Sequence, residues 1–401
     1  MNTRRRYYDD CFEREFDAIV LSCESGLLDG KPAWEVVLDG TAFYPASGGQ
    51  PHDLGKLGEG FVLQVRDEEE EIVHFVDRPL EPGAIRGCID WPRRFDHMQQ
   101  HTGQHLLSAM FQERFGRPTV SFHLGADVCT IDLRDAEPTE DILEGAERAA
   151  NRIIYEDRSV TVRYGTAAQL AELGIRKAVE REGILRAIEI EGADLQPCGG
   201  THVARTGQIG MILVRRCTKI RQDWRVEFVC GQRAERAARH DFALTRRVAE
   251  ILGCAITEVA DATERAIAER DTHFKNARAA LQRLAEADAT LALQSSMPGS
   301  NGTRLIARVF EEEAQMEYLT HFATQLAKSE KTIGLLADAA EGHLLFAQHP
   351  SAGKDMNAML KQVLQEFGGK GGGTRDFARG RLSEPGRCAA AVARAKELLL
   401  S

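Results

Sequence analysis

The segment RRFDHMQQHTGQHLLSAMFQERF, residues 93 to 115, carries the pattern on which the fold of the central part of the chain depends. An approximate apolar stripe along it is formed by Met98, Leu106, Met110 and Phe111. Because the next proline is Pro118, the pattern predicts one continuous helix. His101 and His105 are four positions apart, so a helix projects both imidazoles from one face, close enough to share a metal ion. Thr102 stands where the HExxH metalloprotease motif has its glutamate, which excludes that motif and leaves two surface histidines as the alternative.

A second pair of metal-binding side chains lies in LQPCGGTH, residues 195 to 202. Gly199 and Gly200 separate Cys198 from His202 and allow a sharp turn that points both side chains to one place. Together with the helical pair, they make three imidazoles and one thiolate, a donor set that suits Zn²⁺. The chemistry alone leaves a closed structural site and a catalytic site equally compatible, because four protein ligands normally leave no open position.

Composition sets the class of protein. With 401 residues, 43% hydrophobic and 28% charged, two to four compact units are expected. No apolar run reaches the length of a membrane span, and the start MNTRRRYYDDCFEREF lacks the apolar core of a secretory signal, so a cytoplasmic location is expected. The nine cysteines are scattered and form no CxxC pair, which argues against a disulfide framework.

The charge distribution is uneven. The net charge of -10 argues mildly against a nucleic-acid partner. The segment from Met211 to Arg247, however, holds ten basic and four acidic residues, a local excess of +6. Such a basic run is either a solvated face or a surface for phosphates.

Four segments follow from the pattern along the chain, and the predicted fold class is α+β. Residues 1–90 alternate short apolar runs with Gly and Pro, which predicts a small antiparallel sheet or barrel. Residues 91–238 mix helical and strand patterns, and residues 239–297 are rich in Ala, Glu, Arg and Leu, which predicts a helical connector. Residues 298–401 alternate strands and helices and predict a small α/β domain.

The motifs of the chain, in the order in which they occur, resemble those of the AlaX family of alanyl-tRNA editing proteins. These proteins are free-standing relatives of the editing domain of alanyl-tRNA synthetase. The resembling segments are TAFYPASGGQPHDLGKL, DWPRRFDHMQQHTGQHLLSA, ADLQPCGGTH, TGQIGMILV and DWRVEFVCG. FGGKGGGTRDFARG, residues 367 to 380, resembles the glycine-rich signature of the DHHA1 domain at the end of the long AlaX forms. The resemblance covers nearly the whole chain.

The resemblance implies a zinc editing domain and hydrolysis of mischarged tRNA(Ala), chiefly Ser-tRNA(Ala), with Gly-tRNA(Ala) as a further candidate. By similarity, the zinc ligands are His101, His105, Cys198 and His202. The metal would then anchor the substrate or activate a water molecule.

Three further side chains are candidate catalytic or specificity residues. Gln104 replaces the small residue found inside the HTATH form of the helix motif. Ser121 lies in SFHLG, where the family has a small polar residue that reads the serine hydroxyl, and His123 is a candidate acid or base. The alternative for His123 is a strand histidine packed against its neighbours.

Candidate contacts with tRNA lie outside the metal motifs. In the loop Ser47-Gly48-Gly49-Gln50, the resemblance implies an approach of the tRNA 3′ end, with Gln50 as donor and acceptor, and a tight surface turn is the alternative. The candidates for phosphate contacts are Arg215, Arg216, Lys219, Arg221 and, in the DHHA1-like tail, Lys370. For that tail the alternative is a flexible hinge.

Three rival hypotheses stay open at this point. The first is a trans-acting zinc-dependent deacylase, and the second is a non-catalytic tRNA-binding protein with structural zinc. The third is a deacylase for another ester, such as a threonyl ester. A homodimer through the helical connector or the C-terminal domain is also a candidate, whereas no membrane partner is expected.

Overall fold

The computed structural model describes residues 3–68, 70–134, 136–176, 182–300, 302–311 and 314–400. The chain divides into two compact units, Met1–Arg247 and Val248–Ser401. Its elements are mixed helices and strands, so the α+β class predicted from the sequence is confirmed. Among the described helices, none combines the length and apolar composition that crossing a bilayer would need.

The first part of the N-terminal unit is built from strands. They are β1 (Arg4–Arg5), β2 (Glu15–Leu28), β3 (Lys31–Leu38), β4 (Gly40–Thr41), β5 (Gly55–Leu57), β6 (Gly60–Glu68), β7 (Glu71–Val76) and β8 (Gly83–Ile89). β1 and β4 form a short parallel pair. The other six pair antiparallel in the order β2-β3-β7-β6-β5-β8, and β8 pairs with β2, so the hydrogen bonding returns to the first strand. Alternating residues such as Phe16, Val36 and Val62 fill the core between them.

Helix α1 (Trp91–Phe115) follows directly and forms the centre of the unit. Asp90 caps its N-terminus by accepting a hydrogen bond from the Arg93 amide, and Gly116 ends it in the left-handed conformation. Every residue from 97 to 111 is buried. The helix is therefore enclosed on all faces, which an apolar stripe alone does not predict, and its polar side chains must find partners inside the protein.

The remaining elements of this unit surround α1. They are β9 (Thr119–Leu124), β10 (Cys129–Leu133), α2 (Glu140–Tyr155), β11 (Val160–Gly165), α3 (Ala167–Glu172), β12 (Leu185–Ile190), β13 (Asp194–Pro197), β14 (Ile212–Ile220) and β15 (Asp223–Cys230). One antiparallel sheet has the order β14-β15-β10-β9 and another has the order β11-β12-β13. Helix α4 (Gly231–Leu252) begins after β15.

The second unit contains α5 (Val259–Ser295), β16 (Arg304–Phe310), α6 (Met316–Leu326), β17 (Thr332–Asp338), β18 (His343–Gln348), α7 (Met356–Phe367), β19 (Gly369–Gly373), β20 (Phe377–Leu382) and α8 (Cys388–Leu400). Its sheet has the order β16-β17-β18-β20-β19, with one parallel pair, β16 and β17. The helical pattern of the predicted connector corresponds to α4 and α5, which are separated at Gly253, a residue with φ of 65°.

The glycine-rich segment of the C-terminal part forms the edge strand β19, hydrogen-bonded to β20. A Cβ on Gly371 would lie 2.5 Å from the Cα of Gly380 and 2.8 Å from a methyl group of Leu364. A side chain there would push the two strands apart. The run is thus a closely packed hairpin, which differs from the flexible-hinge alternative.

Candidate metal centre

Two distant segments of the chain bring four metal-binding side chains together. His101 and His105 come from α1, while Cys198 and His202 come from the loop after β13. One ligand atom from each residue lies within 4.8 Å of the other three. The Cys198 Sγ atom is 3.4 Å from His101 Nε2 and 3.3 Å from His202 Nε2. Three nitrogens and one sulfur therefore lie close enough together to hold one metal ion.

The loop after β13 reaches the helix because it carries glycine at its closest approach. A Cβ on Gly200 would overlap the His101 ring. Arg186 holds the loop from its other side, since its Nη1 donates to the carbonyl oxygens of Cys198 at 2.7 Å and Gly200 at 3.0 Å. The Gly200 amide lies 3.3 Å from the Cys198 sulfur and donates to it. This geometry fixes the thiol toward His101 and His202.

The outer nitrogen of His101 is bound by Gln50. His101 Nδ1 lies 2.8 Å from Gln50 Oε1, which also accepts from the Thr201 amide at 3.1 Å. Gln50 Nε2 in turn donates to the Thr201 hydroxyl at 2.8 Å. Gln50 Oε1 can only accept hydrogen bonds, so the imidazole must supply the proton of the bond between them. His101 therefore carries its proton on Nδ1 and presents the Nε2 lone pair to the cluster.

His202 is oriented by Thr102 in the same way. The Thr102 hydroxyl donates to the Met98 carbonyl oxygen at 2.8 Å, and it accepts from the Val203 amide at 3.2 Å. Its only proton is thereby used, so His202 Nδ1, at 3.2 Å, is the donor of their shared hydrogen bond. The Nε2 atom of His202 then faces the cluster without a proton.

His105 is oriented by a buried carboxylate. Its Nδ1 lies 3.1 Å from Asp194 Oδ2, and Arg176 Nε donates to Asp194 Oδ1 at 2.7 Å. All three imidazoles thus have an outer partner on Nδ1, the arrangement that fixes ring orientation in protein metal sites. Fixed rings lower the conformational entropy lost when a cation binds.

The protonation equilibria of the cluster favour an anionic sulfur. Burial opposes ionisation of the Cys198 thiol, but its electrostatic interactions and hydrogen bonds with the surrounding imidazoles outweigh it and hold its pKa well below the ordinary value. Burial disfavours the charged form of His105 too, yet its hydrogen bond to Asp194 raises the pKa to about 9. Burial, reinforced by the charge of His101, lowers the pKa of His202 to about 3. A cation bound here would replace protons, and a thiolate with neutral imidazoles suits a divalent ion.

A cavity of about 500 Å³ opens onto the cluster. Its wall includes the ligand residues His101, His105 and Cys198, and also Tyr44, Gln104 and Thr119, with the tip of the Gly-Gly-Gln loop. This volume is in the range of small-molecule sites. The ligand residues are therefore reachable by a substrate.

The Gly-Gly-Gln loop is a tight turn that packs onto the cavity. Ser47 and Gln50 exchange backbone hydrogen bonds of 2.9 and 3.2 Å across Gly48 and Gly49, whose φ angles are 53° and 80°. Two successive positive φ values favour glycine at both positions. A Cβ on Gly49 would be 2.9 Å from the Phe122 ring. Gln50 itself is buried and directed at His101 and Thr201.

The predicted specificity and acid/base residues of β9 have different surroundings. Phe122 approaches the metal cluster, with its ring centroid 5.9 Å from that of His101. Ser121 contributes to the cavity wall, but its hydroxyl donates to Asp132 Oδ2 at 2.5 Å. His123 is exposed and is not among the residues that line the cavity. Gln104 is buried and lines the cavity.

The basic candidates for tRNA contact lie away from the cavity wall. Arg215, Arg216 and Lys219 are on β14, at the opposite edge of its sheet from β9, and Arg221 is in the turn that follows. Arg215 forms an ion pair with Asp241, and Lys219 lies over the Trp224 ring at 5.7 Å. Lys370 is an exposed residue of β19 in the second unit.

Several residues that shape the site were not predicted from the sequence. Asp194 immediately precedes the LQPC motif and Thr102 lies inside the histidine motif, so both had a local signal as outer partners of the rings. For Arg176, Tyr44 and Thr119 the sequence offers no local signal, because each reaches the site only through packing of separate elements.

Comparisons with known families agree with this architecture. A family model described as the threonyl and alanyl tRNA synthetase second additional domain matches residues 185–225, and a DHHA1 domain model matches residues 301–401. The fold and the site thus define a chain that combines a synthetase-type second additional domain with a DHHA1 domain.

Similar proteins cover almost the entire chain. The alanyl-tRNA editing protein AlaX-L of Pyrococcus horikoshii is 33% identical, over 94% of this chain and 94% of its own length. Aarsd1 of Mus musculus, also an alanyl-tRNA editing protein, is 28% identical over 96% of this chain and 95% of its own. The alanine--tRNA ligase of Thermococcus kodakarensis is 32% identical, and the match covers 99% of this chain but 44% of the ligase. The chain belongs to the alanyl-tRNA editing protein family, which confirms the resemblance stated from its motifs.

Proposed function

We propose that this protein is a zinc-dependent deacylase that acts in trans on mischarged tRNA(Ala), chiefly on the seryl ester and also on the glycyl ester. As a member of an editing family, it is an enzyme that hydrolyses mischarged aminoacyl-tRNA. The observation that carries the zinc assignment is the cluster of His101, His105, Cys198 and His202 at the wall of an accessible cavity.

The donor set fits Zn²⁺. Three Nε2 atoms, each on a ring held by an outer partner, and a thiolate match the nitrogen and sulfur ligands that this ion prefers. When bound, Zn²⁺ supplies a Lewis acid that polarises the ester carbonyl or anchors the substrate. Exchange for a harder ion such as Mg²⁺ is disfavoured by the thiolate.

The chain's own residues then orient the substrate. Gln50 holds His101 in position, so its proposed effect on the reaction is indirect. Gln104 and Thr119 contribute polar atoms to the wall that receives the aminoacyl group. Ser121 as a reader of the serine hydroxyl and His123 as an acid or base stay predictions.

The remaining parts of the molecule are proposed to contact tRNA. Arg215, Arg216, Lys219, Arg221 and Lys370 are candidates for phosphates, and Gly48 and Gly49 for the 3′ end. The proposed division is a barrel-like subdomain at 1–90, an editing domain at 91–238, a helical connector at 239–297 and a DHHA1-like domain at 298–401. The homodimer through the connector or C-terminal domain and the cytoplasmic location also stay predictions.

A structural zinc site is the second candidate, because four protein ligands complete a tetrahedral shell. This alternative predicts tRNA binding without turnover and unfolding when the metal is removed. The cavity wall formed by three of the four ligand residues favours the deacylase, since a purely structural site has no need of access.

One preparation tested on several mischarged tRNAs separates these hypotheses. Zinc-loaded protein is mixed with Ser-, Gly- and Ala-tRNA(Ala) and with Thr-tRNA(Thr), and release of each amino acid is followed over time. We expect rapid release of serine, slower release of glycine, and little release of alanine or threonine. Chelation should stop the reaction, and added Zn²⁺ should restore it. Tight tRNA binding with no release would support the structural-zinc protein, and preferential release of threonine would support the other ester.

A further inference from the structure

Gln104 is one of the buried polar residues of α1. It lies between the two metal-cluster histidines of α1, is 3% exposed, and contributes to the cavity wall. Burial of an amide requires hydrogen-bond partners for its oxygen and its nitrogen.

The partners of Gln104 account for only one end of the amide. Its Nε2 donates to the hydroxyl of Ser108, one turn further along α1, at 2.9 Å. The Thr119 hydroxyl of β9 donates to the same Ser108 oxygen at 2.8 Å. Gln104 Oε1, by contrast, is buried and has no hydrogen-bond partner within the described part of the chain. Gln104 thus combines a place in the cavity wall with an oxygen acceptor that no described donor occupies, while the neighbouring donors are turned toward Ser108.

An unused buried acceptor destabilises the free protein unless a ligand supplies a donor. The cavity wall on which Gln104 lies is the wall formed by His101 and His105, so the donor belongs to a group bound beside the metal cluster. The α-amino group of an aminoacyl ester is common to every amino acid and cannot distinguish them. The side-chain hydroxyl of serine is absent from alanine, and an acceptor that binds it separates the two esters.

We propose that Gln104 Oε1 is a specificity determinant that accepts a hydrogen bond from the seryl hydroxyl of the substrate. The proposal rests on the deacylase function proposed above. An alanyl ester leaves the acceptor unpaired. Hydrolysis of this cognate ester is therefore disfavoured, because it lacks both the hydrogen bond and the van der Waals contact that the seryl hydroxyl makes. Gln104 thereby contributes to recognition, while the ligands of the metal cluster serve both esters alike.

The test compares two esters that differ by this hydroxyl alone. The constant kcat/KM is measured for Ser-tRNA(Ala) and Ala-tRNA(Ala) with the wild type and with Gln104→Met. This substitution keeps the length of the side chain and removes the acceptor. The serine-to-alanine ratio is expected to fall by about 10- to 100-fold, the range for loss of one buried hydrogen bond. Gln112→Met, on the same helix but outside the cavity wall, is the matched control and should keep the wild-type ratio.

An unchanged ratio in Gln104→Met, with both esters slowed equally, would overturn the proposal, because a purely structural Gln104 affects the two substrates alike. Metal content and melting temperature verify that each variant is folded, and Gln104→Leu replaces Gln104→Met if the latter does not fold. A wild type that releases neither amino acid contradicts the deacylase itself. Failure of the function is thereby distinguished from failure of the specificity assignment.

Discussion

The buried polar residues around α1 and the basic edge at β14 have different surroundings. The buried set consists of Gln50, Asp53, Arg94, Thr102 and Asp194. The basic edge consists of Arg215, Arg216, Lys219 and Arg221. In the buried set each side chain has partners at defined distances from separate segments, whereas the basic edge is exposed to water.

The difference shows which side chains contribute most to the stability of the folded unit. Arg94 and Asp53 are fully buried, and Arg94 Nε lies 2.9 Å from Asp53 Oδ2. Arg94 also donates to the carbonyl oxygens of Cys11 and Ala42, so it ties α1 to the strand region before the Gly-Gly-Gln loop. Removal of one buried partner leaves a desolvated group unpaired, whereas an exposed arginine is simply hydrated.

The largest effect is expected from Cys198→Ala. Loss of the thiolate removes one of four ligands, so zinc content and serine release should fall by more than about 100-fold, beyond the effect of losing an outer partner. The measurements are metal content by mass spectrometry and turnover of Ser-tRNA(Ala). Cys217→Ala, a half-buried cysteine outside the cluster, is the control and should keep both. Normal turnover of metal-free Cys198→Ala would contradict the deacylase chemistry.

The buried ion pair provides the next prediction. Asp53→Asn leaves the Arg94 charge buried without its carboxylate, so the free energy of unfolding should fall by about 3–5 kcal/mol. Thermal and urea unfolding measure it. Asp157→Asn, whose carboxylate forms an exposed ion pair with Arg205, is the matched control and should change stability little. Equal effects of the two substitutions would mean that the buried network does not stabilise the unit.

An intermediate effect is expected for the outer partner of His105. Asp194→Asn removes the carboxylate that orients the ring, so zinc affinity should fall by about 10- to 100-fold while the four ligands stay in place. Competition with a chromogenic chelator measures the affinity. Asp132→Asn is the control, since Asp132 pairs with Arg225 and Ser121 away from the metal cluster. A wild-type affinity in Asp194→Asn would exclude this positioning role.

The smallest effect is expected at the basic edge. Arg216→Gln should weaken tRNA binding a few-fold and lower the slope of log K against log salt by roughly 0.7–0.9 if it contacts one phosphate. Arg215→Gln should act less, because this arginine is paired with Asp241. Arg152→Gln, with a side chain that is 83% exposed on α2, serves as the control. Identical salt slopes for all three variants would mean that the basic edge does not contact tRNA.

Much of the local structure was predictable. The spacing of His101 and His105 predicted that both rings project from one face of a helix, and the glycines before His202 predicted the turn of its loop. The strand pattern of residues 119 to 124 was also predicted. These features depend on hydrogen bonds and side-chain directions between neighbours in the chain.

Other features needed the three-dimensional structure. The strand β9 alternates its side chains, but which parity faces the metal cluster depends on packing, and the structure brings Phe122 toward His101. β5 and β8, which complete the ring of six strands, were not predicted, because β5 is three residues long and β8 contains two glycines. The glycine run of β19 had no side-chain pattern from which a strand could be recognised.

The sequence by itself determined the composition of the donor set, the pairing of its members within each motif, the mixed α+β class and the family. Only the tertiary structure decided that the two motifs meet, that Gln50, Thr102 and Asp194 hold the three rings, and that Gln104 has an unused acceptor at the cavity wall. The reason is the range of the interactions. Motif spacing is fixed by local backbone geometry, whereas contacts such as Gln50 with Thr201, 151 positions apart, depend on how separate elements pack.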